Sequence, residues 1–343
     1  MVRQMPDAAP RLVFGIYPGG AAGTVGPSGT SRPEDPARRL DALEQLRPPG
    51  RPFVLRLYAG YTGDGGYSAY QQVGSEISAY GRAGFQTELV LTYRPADGGS
   101  AADVAGFARF VQTSLESFAR APGLVSLQVT NEANVPGAPN ASDGYYRGAK
   151  DALISGVIAA RDLLRGNNLN RVKVGFNWAY QTEPAQRAFW RYLGRVGRRR
   201  FVEAIDWVGL DAYPGTWGPA LGQGDLATAT KNFMHTAVTR LRSDYMPLAG
   251  IPASVALEVC ENGYPTGPGR TEAMQATVMK AAATAVYHSR GAYNINRYIW
   301  FDLRDADSSA SSFESQYGIL RDDYSPKPAF GVYRRLVAEF DGR

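Results

Sequence analysis

The feature that most constrains this chain is a rhythm in which short β-branched or apolar runs alternate with longer amphipathic stretches about eight times. The strand-like runs fall at residues 12–17, 53–58, 87–93, 125–130, 172–177, 205–211, 254–260 and 297–302. Helical periodicity fills 34–46, 67–81, 101–119, 143–164, 184–199, 225–245, 271–289 and 327–340. Parallel neighbours in a sheet need a crossover connection, and a helix after every strand supplies one. Eight such pairs in 343 residues predict an α/β fold, a (β/α)8 TIM barrel formed as a single domain over 1–343.

Composition agrees and removes several function classes. Hydrophobic residues make up 44% and charged residues 20%, enough apolar surface for a large core. No run approaches the roughly 18 apolar residues of a membrane span, and Met1 to Pro10 carries no signal-peptide core. The expectation is a chain that is secreted if a signal has been removed and otherwise cytoplasmic. With one cysteine, Cys260, and two histidines, His235 and His288, the raw material for a Cys/His zinc site is missing, and neither a metal nor a cofactor is expected. The net charge of +5 rests on arginines spread along the chain, and the one dense run, Arg198 to Arg200, reads as a helix end. No nucleic-acid partner is expected. Lys173 opens a strand at the wrong end for a Schiff base. Glycine and proline gather at 18–20, 60–66 and 265–269 as loops, and 21–36 is the one candidate insertion.

Active sites of such barrels lie at the carboxyl ends of the strands. Those ends read Arg56 and Tyr58, Tyr93 and Arg94, Asn131 and Glu132, Asn177 and Trp178, Asp211 to Tyr213, Glu261 and Asn262, and Trp300 to Arg304. Side-chain alternation sorts them further. In the fourth strand Val125, Leu127 and Val129 form an outward apolar face, leaving Ser126, Gln128, Thr130 and Glu132 inward. In the eighth, Ile299, Phe301 and Leu303 face the helices, while Tyr298, Trp300, Asp302 and Arg304 line the interior. Two glutamates, on strands four and seven, are the material of two-carboxylate glycoside hydrolysis.

Here the sequence resembles a known family. Val129-Thr130-Asn131-Glu132-Ala133-Asn134 is similar to the fourth-strand signature of the large clan of retaining TIM-barrel glycosidases. Glu261-Asn262-Gly263 resembles that clan's strand-seven nucleophile motif. Residues 300–305 resemble the clan's strand eight, and Gly318-Ile319-Leu320 followed by Ser325 to Ala329 resembles the closing segment of its cellulase-like and xylosidase-like members. The resemblance implies Glu132 as acid/base, Glu261 as nucleophile, Asn131 on the sugar 2-hydroxyl and Arg56 supporting the nucleophile. Asp211 stands where cellulase-like members often carry histidine.

Each residue also has a plainer reading. Glu132 could cap the following helix, Asn131 faces outward unless the strand end bulges, and Arg56 could be a structural ion pair. Tyr213, Trp300 and Trp178 are expected to contact sugar but could be packing, and Asp302 could bind a hydroxyl or pair with Arg304. Glu258 competes with Glu261 as nucleophile, but at about 3.3 Å per residue it lies roughly 10 Å deeper. The expected activity is a retaining hydrolase of a β-linked oligo- or polysaccharide, with an inactive carbohydrate-binding barrel or a transglycosylase as alternatives. The partner is a carbohydrate substrate, and the oligomeric state is open.

Overall fold

A computed structural model describes residues 9–20, 31–63, 66–96, 98–139, 141–182 and 184–340. Most of the candidate insertion, 21–30, lies outside them. The barrel strands are β1 (Val13–Ile16), β2 (Val54–Gly63), β3 (Gln86–Tyr93), β4 (Leu124–Val129), β5 (Lys173–Ala179), β6 (Trp207–Asp211), β7 (Ala256–Asn262) and β8 (Ile295–Trp300). The helices are α1 (Pro36–Leu46), α2 (Tyr70–Arg82), α3 (Ala101–Phe118), α4 (Ala149–Gly166), α5 (Pro184–Val202), α6 (Leu226–Thr239), α7 (Glu272–Tyr293) and α8 (Pro328–Phe340). The sheet order is β1-β8-β7-β6-β5-β4-β3-β2, and β1 also pairs with β2 in parallel, so the ladder closes into the expected (β/α)8 barrel. Among the described residues no helix is long and apolar enough to cross a membrane.

Contacts divide the chain into two units. The first is Arg56–Asp211 with Arg240–Glu258. Its parallel ladders match Leu91 to Val129, Gln128 to Gly175 and Asn177 to Gly209, which fixes the strand ends that matter below. Phe14, Ile16 and Tyr298 belong instead to the second unit, built on Gln4–Leu55, Ala212–Thr239 and Val259–Arg343. There β1 pairs with β8 from Val13–Arg297 to Ile16–Trp300. The starts of several helices follow from their caps. Asp35 accepts from the Ala37 and Arg38 amides ahead of a proline start, and Ser100 and Asp103 form a reciprocal capping box on α3.

Two boundaries differ from the sequence expectation. The glycine-rich 60–66 stretch is not simply a loop: β2 continues to Gly63 and folds back onto a short antiparallel strand, Gly66–Ser68. Gly60 permits this, because a Cβ there would lie 2.5 Å from Ser68 Oγ and 2.9 Å from Thr92 Oγ1. The helical pattern over 225–245 ends α6 at Thr239 and passes into a wide turn, Arg240–Tyr245. The Arg198 to Arg200 run stands at the end of α5 as expected, with Arg199 and Arg200 in its last turn, after an interruption at Arg198 (φ 52°). Arg199 there pairs with Glu203 at 2.7 Å and Arg200 with Asp162.

Candidate active site

In the first unit β4 stops at Val129, and the backbone then turns through left-handed conformations at Thr130 (φ 64°) and Glu132 (φ 48°). For a β-branched threonine this is a costly conformation, of order 1–3 kcal/mol, and such residues concentrate at functional sites. The turn answers the question raised by alternation for Asn131. Its Oδ1 accepts from Asn177 Nδ2 at 2.9 Å and from Gln128 Nε2 at 3.4 Å, beside side chains of the same ladder face. Its Nδ2 donates to the Ala141 carbonyl at 2.9 Å.

Asn177 is the hub of this half. Its Oδ1 accepts the Glu132 backbone amide at 2.8 Å, and its Nδ2 also donates to the Asp211 carboxylate. A carboxylate oxygen of Glu132 comes within 4.8 Å of one of Asp211. Ser142 donates its hydroxyl to Glu132 Oε2. Glu132 and Asp211 could jointly face a cation, but both already accept these hydrogen bonds.

Asp143 closes the loop behind them. Its Oδ2 accepts the backbone amides of Tyr93 at 2.7 Å and Asn131 at 2.8 Å, and Arg94 Nε lies 3.4 Å from its Oδ1. The carboxyl is fully buried, and desolvation, the largest influence, pushes its pKa up to about 6 against the pull of Arg94 and the two amides. Arg56 is also fully buried, paired with Glu88 and donating from Nε to Tyr58 Oη at 2.7 Å. That is the structural ion pair of its plainer reading.

Trp178 is a correction. It is fully buried against Tyr180, Trp190 and Tyr245, and its Nε1 donates to Gln186 at 2.8 Å. It packs β5 against α5, whereas the preceding Asn177 carries the polar network.

In the second unit Glu261 and Tyr213 come together. The Tyr213 hydroxyl donates to Glu261 Oε2 at 2.6 Å, and both side chains are more than 90% buried. Asn262 anchors the same strand end, donating to the Ala212 carbonyl and accepting the Tyr298 hydroxyl at 2.7 Å. Gly263 follows because a Cβ there would meet the Phe301 carbonyl oxygen at 2.4 Å and the Tyr213 ring at 3.0 Å. Phe301 is a second correction: it does not lie apart on a helix-facing side but packs its ring against Tyr17, Tyr213 and Tyr317. The strand ends at Trp300, and the alternation that assigned Phe301 ends with it.

Trp300 is fully buried, while Trp217 is 48% exposed and donates from Nε1 to Tyr317 Oη at 2.6 Å. Asp302 is not paired with Arg304, whose Nε and Nη2 donate to the carbonyls of Asp322, Arg32 and Pro33. Asp302 is buried with one carboxyl oxygen lacking a partner, and burial first, then Asp305, hold its pKa well above the usual carboxylate range. Its neighbour Asp305 is ion-paired to Lys327 at 2.7 Å.

Asn177, Ser142, Asp143 and Phe301 are the functional candidates that sequence reasoning did not select. No protein-family model and no curated protein matches the sequence. Among solved structures, the chain is similar to fungal β-1,4-galactanase (TM-score 0.62, 13% identity, covering 95% of this chain and 99% of that one). It is also similar to GH5_18 from Streptomyces cattleya in complex with GlcNAc (TM-score 0.65, 16% identity, 98% and 82%). A β-glucosidase from Exiguobacterium marinum is similar in the same way (TM-score 0.63, 13% identity, 96% and 98%). At these identities the shared property is the (β/α)8 fold, and it extends over nearly the whole chain.

Proposed function

We propose that this protein is a retaining O-glycoside hydrolase acting on a β-linked oligo- or polysaccharide, with Glu261 as nucleophile and Glu132 as acid/base. The observation that carries the reading is the placement of both glutamates at the carboxyl ends of β4 and β7, each held by a hydroxyl donor, Ser142 or Tyr213. The glycosidase names of the structural neighbours support the same class.

In the first step a Glu261 oxygen bonds the anomeric carbon as the glycosidic C–O bond breaks, and the Glu132 proton passes to the departing oxygen. In the second, Glu132 takes a proton from water as the water oxygen bonds the anomeric carbon and Glu261 leaves. Asn131, held through Asn177 and Ala141, presents its amide to the sugar. Arg56, Asp302 and Trp300 act as buried supports, each within its own unit, and Tyr213 orients the nucleophile.

The test is a panel of aryl glycosides and polysaccharides with the native protein and with Glu132→Gln and Glu261→Gln. Both variants lose polysaccharide hydrolysis, by about 10²–10⁴-fold or more. Only Glu132→Gln still reacts with an aryl glycoside whose leaving group needs no proton. Near-native turnover by either on a polysaccharide, or an inverted first-formed anomer by nuclear magnetic resonance, rejects double displacement.

A further inference from the structure

A groove of about 870 Å³ runs along the first unit between α4 and α5. It begins at Ala133 and Asn134, the residues directly after Glu132, and extends along the face of α5 to Arg195. Three cations line it, Lys150, Arg191 and Arg195, and among the described residues its lining holds no carboxylate. Two of the three are held in place: Lys150 Nζ lies 4.7 Å and Arg195 Cζ 5.6 Å from the centre of the Tyr192 ring. The Tyr192 hydroxyl is in turn fixed on Asp151 at 2.6 Å, a residue outside the described lining.

The floor is built rather than incidental. Asn134 and Gln186 are both more than 90% buried. Asn134 Nδ2 donates to Gln186 Oε1 and to the Ala179 carbonyl, each at 2.9 Å. Of the other arginines on α5, Arg199 and Arg200 are paired with Glu203 and Asp162.

We infer that this groove binds an anionic saccharide, the acidic stretch of a glycan on the leaving-group side of the bond to be cleaved. The leaving-group assignment rests on Glu132 being the proton donor, because the groove continues from the residue that follows it. The anion preference rests only on the groove's own charges. A nucleic acid fits less well, since the Tyr192 ring already carries both cations and leaves no open platform for base stacking. The anionic groups could be carboxylates of uronic acids or sulfate esters, and the same cations would receive either.

Isothermal titration of the full chain carrying Glu261→Gln tests this without turnover. The probes are hexagalacturonate, a sulfated dextran oligosaccharide, neutral cellohexaose and an oligodeoxythymidylate. At least one acidic saccharide binds at least about tenfold more tightly than cellohexaose. Its affinity falls between about 50 and about 200 mM salt. Adding Arg191→Glu with Arg195→Glu lowers that affinity at least about tenfold, with circular dichroism confirming the fold. Which of the two acidic probes binds decides between carboxylate and sulfate. Equal binding of cellohexaose, insensitivity to the paired substitutions, or an equal affinity for the oligodeoxythymidylate overturns the inference. If the native chain hydrolyses no glycoside while the charge-dependent binding persists, the catalytic reading fails and the anion groove stands; hydrolysis without such binding is the reverse result.

Discussion

The Tyr213 hydroxyl lies 2.6 Å from Glu261 Oε2 and donates to it, inside a pocket of rings from Phe301 and Tyr317. A hydrogen bond to a charged acceptor is worth about 1.5–3 kcal/mol. Tyr213→Phe therefore lowers kcat for aryl glycoside hydrolysis by about 10- to 150-fold with little effect on the fold. Steady-state kinetics with a thermal melt checks this, and an unchanged kcat contradicts a role for Tyr213 on the nucleophile.

Asn177→Ala removes in one step the acceptor of the Glu132 amide and the donor shared by Asn131 and Asp211. It leaves a buried carboxyl without that donor, which costs about 1–3 kcal/mol and lowers the melting temperature. Hydrolysis falls at least about 100-fold, because the loop that carries Glu132 loses its orientation. Trp178→Phe, by contrast, reduces stability through packing and changes the KM for an oligosaccharide little.

Stability depends on pH through Asp143. Its folded pKa of about 6 lies above the ordinary aspartate value of 3.8, so the stability it contributes is complete below the unfolded value and is lost as pH rises through about 6. The difference amounts to about 3 kcal/mol between the limits. Asp143→Asn, whose carbonyl can still accept both backbone amides, flattens this segment of the profile. Denaturant melts from about pH 4 to about pH 7 measure it, and a native profile already flat there rejects the assignment.

Gly263→Ala forces the Phe301 carbonyl or the Tyr213 ring to move, since the new carbon would lie 2.4 Å and 3.0 Å from them. The expected destabilisation is about 1–3 kcal/mol, with a larger proportional loss of activity because Tyr213 is the partner of Glu261. A variant with native melting temperature and native kcat contradicts the packing argument.

The barrel was legible because alternation and helical periodicity are backbone properties repeated eight times. The positions of the two glutamates were legible to within a few residues: Glu261 lies in β7 next to its end at Asn262, and Glu132 lies three residues past the end of β4. Trp178 was misread for a reason the sequence itself contains: Val174, Phe176 and Trp178 share one face of β5, which leaves Asn177 on the other. The ring contact of Phe176 with Trp190 of α5 shows which face meets the helices. The loop beyond β4 carried no comparable signal. Left-handed threonine and glutamate are not written in residue type as glycine would be, and the contacts of Ser142 and Asp143 depend on a path of ten residues that no local pattern dictates.

That path makes the loop a measured length of chain. Asp143 accepts the Asn131 amide and returns its own amide to the Asn131 carbonyl at 2.8 Å, so the segment from 131 to 143 is buckled shut on itself. Most surface loops take insertions cheaply. Here an added residue would unfasten the buckle and swing Asn131 and Glu132 together. A library of residues inserted between 131 and 143 would therefore lose active members even where the added side chain is small, because length itself is what the buckle sets.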